Sequence, residues 1–393
     1  MEKVAAVHAE EYGESPDVTA VAPGRFHLIG EHSWFFKDKT LSMAVNLPVY
    51  VAVSKRNDSN FRFYFKQLED KKRSSITSLK FRKEDKWANA LKSVIYGFTS
   101  GGFACCGMNI TIYSDILPSA GFGITTAIKI AATWAIKELN HFKCSKSELL
   151  QVVERANKIY FGIANHKSDN FTAVYSKENS LVLTDYATNS YELIPFKFKD
   201  KTIILTDTRV PRITTWNEEC LQQPENVLLL GELKEQRSTV YGGWRYEENN
   251  AERNEVLSVV EEDTRRRLLC IINEHHCVLS AHSALTSEPA DFSGFARAVN
   301  HSHENLRDLY DISCPEIDWI LKRVQELDSE PDDLRNPVNC GRITGKGFGR
   351  CTFAILRNED VDNYMKKLVD YERIFGFKPE CYTVKPAKGV HLL

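Results

Sequence analysis

Pro118-Ser-Ala-Gly-Phe-Gly-Ile-Thr-Thr-Ala127 lies between an apolar, strand-like stretch, Met108 to Tyr113, and a small-residue helix whose pattern begins near Thr126. Glycines just before a helix start leave backbone N–H groups free to wrap phosphate oxygens. The helix dipole adds favourable potential, and a threonine hydroxyl is available to a metal. The segment is a phosphate loop on physical grounds, although it lacks the lysine of the Walker pattern. Strand, anion loop and helix in this order place the chain in the α+β or α/β class.

Two more glycine-bearing segments flank it. Ala22-Pro-Gly-Arg-Phe-His-Leu-Ile-Gly-Glu-His32 sets one cation, Arg25, and one acid–imidazole pair between two glycines. Gly341-Arg-Ile-Thr-Gly-Lys-Gly-Phe-Gly349 has four glycines in nine residues and opens onto the apolar strand Cys351 to Leu356. Such a loop lets backbone approach a ligand closely; standing alone it reads equally as a mobile hairpin. Elsewhere Val49, Val51 and Val53 alternate after Pro48, as in a strand. Ile317, Ile320, Leu321, Val324 and Leu327 recur at helical spacing behind Pro315. A helix beginning near Ser145 carries Leu149, Leu150, Val153, Ala156 and Tyr160 on one face and delivers the chain to Asn165-His-Lys-Ser-Asp-Asn170. Pro211 to Asn254, rich in Asn, Glu, Gln and Arg, reads as a long surface excursion.

The 393 residues are 42% hydrophobic and 26% charged, which excludes collagenous and wholly disordered chains, and the length favours two domains. Fifty-one basic against 53 acidic residues, with no long run of either sign, argue against a nucleic-acid or membrane-surface partner. The N-terminus has no signal-peptide pattern, and the ten cysteines include no C-x-x-C pair. The expectation is an unsecreted, cytoplasmic protein with reduced thiols.

In order and spacing the three segments resemble the motifs of the galactokinase branch of the GHMP small-molecule kinases (galactokinase, homoserine kinase, mevalonate kinase, phosphomevalonate kinase). Lys86-Trp-Ala-Asn-Ala-Leu-Lys92, His303-Glu-Asn-Leu-Arg-Asp-Leu-Tyr-Asp-Ile-Ser-Cys-Pro-Glu-Ile-Asp318 and Pro386-Ala-Lys-Gly389 extend the resemblance over almost the whole chain. It implies an α+β protein of two domains, with sugar and MgATP meeting in the cleft between them. The expected domains are an N-terminal α/β domain, 1–195, and a C-terminal ferredoxin-like α+β domain, 196–393. The implied chemistry is phosphorylation of a sugar's anomeric hydroxyl, with galactose or a related monosaccharide and ATP as small-molecule partners. The oligomeric state stays open, a monomer being admissible.

The resemblance also implies site residues. Asp169, seven residues after Gly162, resembles the family's proton acceptor, and Arg25 its cationic neighbour. Glu31, His32, Ser33 and Trp34 stand where galactokinases read E-H-T-D and bind sugar hydroxyls; Trp34 thus replaces a carboxylate with an indole. Pro118, Gly121, Phe122, Gly123, Ile124, Thr125 and Thr126 would hold the nucleotide, with Gly345 and Gly347 of the third segment. Mg²⁺ is expected at Thr125, Thr126 and Asn157. At 157, twelve residues before Asp169, the family carries a carboxylate, and a neutral amide there weakens attraction for a hard cation. Two function classes follow: an active ATP-dependent sugar 1-kinase, or a galactokinase-like sugar or nucleotide sensor with little turnover. A purely structural protein, which would bind no nucleotide, is the third.

Overall fold

A computed structural model describes residues 2–115, 121–162, 167–211, 221–239, 258, 260–328, 336–345 and 350–393. The first sheet follows the order β12-β1-β2-β5-β3-β4, with β6 also on β2 and β7 beyond it. Its strands are β1 (Val18–Ile29), β2 (Lys39–Arg56), β3 (Asn60–Phe65), β4 (Asp70–Ser75), β5 (Gly107–Ser114), β6 (Ser180–Asp185), β7 (Ser190–Pro195) and β12 (His391–Leu392). The alternating valines lie in β2, where Val49, Val51 and Val53 are all fully buried. β2 is long enough to pair β1 along one edge while its two halves pair β5 and β6 along the other.

The helix α1 (Glu2–Tyr12) opens the chain, and α2 (Ala88–Thr99) and α3 (Ile124–Leu139) share the apolar core of the first sheet. α3 begins at Ile124, two residues before the sequence pattern places it, because Gly123 in the left-handed region supplies its N-cap. Ala, Ile and Trp bury nearly its whole surface, as expected of a helix enclosed on all sides. α4 (Lys146–Arg155) starts at a Ser145–Glu148 capping box and runs into a π-helical turn, Ala156–Tyr160, before α5 (Lys167–Tyr175).

The second sheet is antiparallel, in the order β11-β8-β10-β9. It comprises β8 (Lys201–Asp207), β9 (Cys340–Ile343), β10 (Cys351–Arg357) and β11 (Glu380–Val384). The helices of this half are α6 (Pro224–Thr239), α7 (Glu262–Thr286), α8 (Phe292–Asp308), α9 (Pro315–Gln325) and α10 (Val361–Phe375). Pro315 takes the first turn of α9, where its missing N–H costs nothing, and Ile317, Ile320, Leu321 and Val324 fill the second core. The architecture is α+β, as the sequence implies. Among the described residues no helix is long and apolar enough to cross a membrane.

One expectation fails. The supposed surface excursion contains α6, and Leu221 and Leu230 are fully buried in the second core. Its Glu, Gln, Lys and Leu content is helix-forming, and polarity alone concealed this. Residues 212–220 and 240–257 lie outside the described residues.

The chain end returns to the first sheet. Val21 pairs with His391, Ala387 N–H donates to Ala44, and Gly389 N–H donates to Ser176. A Cβ on Gly389 would stand 2.5 Å from the Val174 carbonyl oxygen, so only glycine fits. Gly389→Ala should therefore cost about 2 kcal/mol by overpacking against backbone. An unchanged urea midpoint would show that this segment does not dock as described.

Candidate active site

Strand periodicity places Arg25 and His27 on one face of β1, with backbone irregularities on either side, between Pro23 and Gly24 and between His27 and Ile29. Asp169 sits in the first turn of α5, where the helix dipole favours a carboxylate. Arg25 Nε lies 2.6 Å and His27 Nε2 2.9 Å from Asp169 Oδ1, with the three side chains about nine-tenths buried. His27 Nε2 is also 3.2 Å from Ser168 Oγ. The structure thus brings Asp169 and Arg25 together and adds His27, which the motif reading passed over. Its i+2 spacing from Arg25 was the available signal.

The glycine loops close on this cluster. Arg25 N–H donates to the Phe122 carbonyl at 2.9 Å. Gly123 has φ +72°, and a Cβ there would stand 2.7 Å from Arg25 Cγ; Gly121 has φ +87°, and its Cβ would meet Cys351 Sγ at 2.5 Å. Both glycines are required by backbone conformation and by space. Phe122 is fully buried, with its ring against Tyr382. Ile124 is buried, Thr125 is exposed on the first turn of α3, and Thr126 is buried behind it. From the third segment, Thr344 Oγ1 accepts from His27 N–H at 3.1 Å and donates to the His27 carbonyl at 2.8 Å. Gly345 follows at φ +76° with open space around it. Pro118 and Gly347 lie outside the described residues.

The residues expected on the sugar side have protein partners of their own. Glu31 accepts a bidentate pair from Arg342, Nη1 to Oε1 at 2.8 Å and Nη2 to Oε2 at 2.9 Å. Arg342 Nη2 also reaches Glu274 at 3.0 Å, and its Nε donates to Ser302 Oγ, which donates in turn to Glu274. Burial opposes ionisation of Glu31, but Arg342 and neighbouring imidazoles more than offset it and hold the carboxyl down to about 2. Burial wins at Glu274, whose carboxyl is raised. Glu31 is therefore a clamp between the two halves of the chain. Ser33 is fully buried and donates to the Gly30 carbonyl, closing the turn. His32 is buried with its ring 4.8 Å from that of Tyr310. Trp34, half-buried, opens a short 3₁₀ turn, Trp34–Phe36, with its ring edge-on to Phe35.

Asn157 is buried in the π-turn, and its Oδ1 accepts a hydrogen bond from Lys129 Nζ. The atom expected to face magnesium faces an ammonium. Among the described residues no group of three or more His, Cys, Asp or Glu could hold a metal ion. The side chain at 157 thus does not fit a protein-held divalent cation.

Comparisons with known proteins bear on the fold and the family. The chain superposes on Lactococcus lactis galactokinase complexed with galactose at TM-score 0.82, 20% identity, covering all of this chain and 99% of that one. It superposes on Methanococcus jannaschii mevalonate kinase at TM-score 0.64, 15% identity, covering 94% and 98%. These likenesses define a GHMP-kinase fold. Residues 6–55 match the galactokinase galactose-binding signature and residues 88–177 the GHMP kinases N terminal domain. A provisionally named galactokinase of Treponema pallidum (strain Nichols) is 39% identical over 400 residues, covering all of this chain and 97% of its own. A Streptococcus thermophilus galactokinase is 27% identical, covering 98% and 97%. The chain belongs to the galactokinase branch of the GHMP kinase family.

The Glu31–Arg342–Glu274 cluster makes a prediction with a sign. Because Glu31 is depressed from an ordinary 4.5 to about 2, its stabilisation is full above pH 4.5 and is lost as pH falls towards 2. Arg342→Met leaves two buried carboxyls without their cation, a loss of about 3–5 kcal/mol at pH 7. Those carboxyls should then prefer protonation, so acidification from pH 7 to 5 should raise the variant's Tm. A variant Tm that stays flat or falls over this range would show that the pair is not held as described.

Proposed function

We propose that the chain is an ATP-dependent sugar 1-kinase acting on galactose or a related monosaccharide, with magnesium arriving on the nucleotide as part of the substrate. The observation that carries this reading is the Arg25–Asp169–His27 cluster closed against the phosphate loop, in a chain of the galactokinase branch. The N-terminal N–H groups of α3 and the Thr125 hydroxyl hold phosphate oxygens. The sugar's O1 attacks the γ-phosphorus, and the bond from phosphorus to the bridging β–γ oxygen breaks with its electron pair leaving on ADP. The O1 proton passes to Asp169. Arg25, in contact with that carboxylate, faces the charge that develops on the phosphoryl group. His27, fixed at its backbone by Thr344, orients Asp169 from the second side.

Sugar selection falls to Trp34, since Glu31 is engaged by Arg342 and Ser33 by its own turn. An indole offers one donor and a face for the C–H surface of a ring, where a carboxylate would accept from a hydroxyl. A coupled ADP-release assay over hexoses and amino sugars tests the whole reading. Calorimetric sugar binding without turnover on any of them would replace the kinase by a sensor.

Asp169→Asn should lower kcat by about 10²–10⁴-fold while leaving sugar affinity nearly intact. Unchanged kcat would remove Asp169 from the chemistry. Trp34→Asp should raise kcat/KM for galactose relative to the other sugars. An unaltered sugar profile would show that the indole does not meet the substrate.

A further inference from the structure

From Ile124 to Ile136, α3 contains a single charged residue, Lys129, and that side chain is 2% exposed. It lies one turn beyond Thr126 on the same side of the helix. Its Nζ donates to Asn157 Oδ1 and stands 5.4 Å from the centroid of the Phe161 ring, so α3 and the π-turn enclose it. Single-turn π segments inside helices recur at functional sites.

Among the described residues the donors in this pocket outnumber the acceptors. Of the three N–H groups of Lys129, Asn157 accounts for one among the described residues, and Asn157 Nδ2 has no partner there. A buried ammonium with so few acceptors is costly unless an anion completes its shell. A divalent ion at Asn157 Oδ1 would meet a full positive charge in a dry pocket, where repulsion is poorly screened. Asp169 acts electrostatically on this ammonium, which places it within reach of the reacting cluster.

We propose that Lys129 is a built-in cation for the nucleotide phosphates, occupying the place between α3 and the π-turn where a carboxylate-held divalent ion would otherwise sit. The inference rests on the nucleotide-binding reading above and deepens it. Isothermal calorimetry with ATP in EDTA, compared with MgATP, separates the two. The wild-type chain should bind ATP in EDTA with an affinity close to that for MgATP. Lys129→Met, of similar volume, should weaken binding of ATP in EDTA by about 10–100-fold, the range of a hydrogen bond to a charged group. Asn157→Asp, which keeps the shape of the pair, should also weaken it by neutralising the ammonium. Lys129→Met combined with Asn157→Asp should gain Mn²⁺ binding, read by electron paramagnetic resonance, that the wild type lacks. Binding that requires Mg²⁺ in the wild type, or an affinity in EDTA unchanged by either single substitution, overturns the inference and leaves the kinase reading intact. No binding of ATP in either form overturns both.

Discussion

One guanidinium holds the two halves of the chain in register. Arg342 projects from β9 of the second sheet and meets Glu31, which follows the end of β1 in the first, and Glu274 of α7. All three side chains are at least nine-tenths buried, so none finds compensation in water if the others move. A buried ion pair of this kind contributes more to geometry than to net stability, because desolvation consumes most of its Coulombic gain. Its consequence is positional. Two residues further along the chain, Thr344 grips the His27 backbone through both N–H and C=O, and His27 faces Asp169. The carboxylate is thus fixed by α5 from one side and by the third glycine segment, acting through β1, from the other.

The elements most legible in the sequence are those determined by local chemistry. The glycines of the second segment forecast a helix start, and α3 begins directly after Gly123. Pro315 marked the first turn of α9, and the valines after Pro48 marked a buried strand. Asp169 and Arg25 could be paired through family spacing. Local pattern does not reveal which residues of distant segments share a charge: Glu31 and Arg342 are separated by 311 positions, and neither motif points to the other. Nor does it reveal that Glu31 and Ser33, expected at the sugar, are engaged by a buried cation and a turn carbonyl. In α6 the failure was of another kind, since a helix rich in Glu, Gln and Lys resembles a loop when polarity is weighed without helix propensity.

The charges at the site form a pattern of their own. Asp169 is a single carboxylate with Arg25 against it, an imidazole beside it and Lys129 coupled to it electrostatically. Phosphoryl transfer asks a protein for little covalent chemistry and much positive charge placed before the reaction begins. A hydrated metal ion can deliver that charge, but it must be ordered each time the site fills. A lysine anchored in a helix that is packed on every side is ordered when the chain folds. Such a cation cannot shed ligands or follow the phosphoryl group between donor and acceptor. On the proposed role of Lys129, an amide and an ammonium standing in place of a metal carboxylate give up adaptability for preorganisation, which suits a polyanion held in one pose better than a rapid sequence of binding and release.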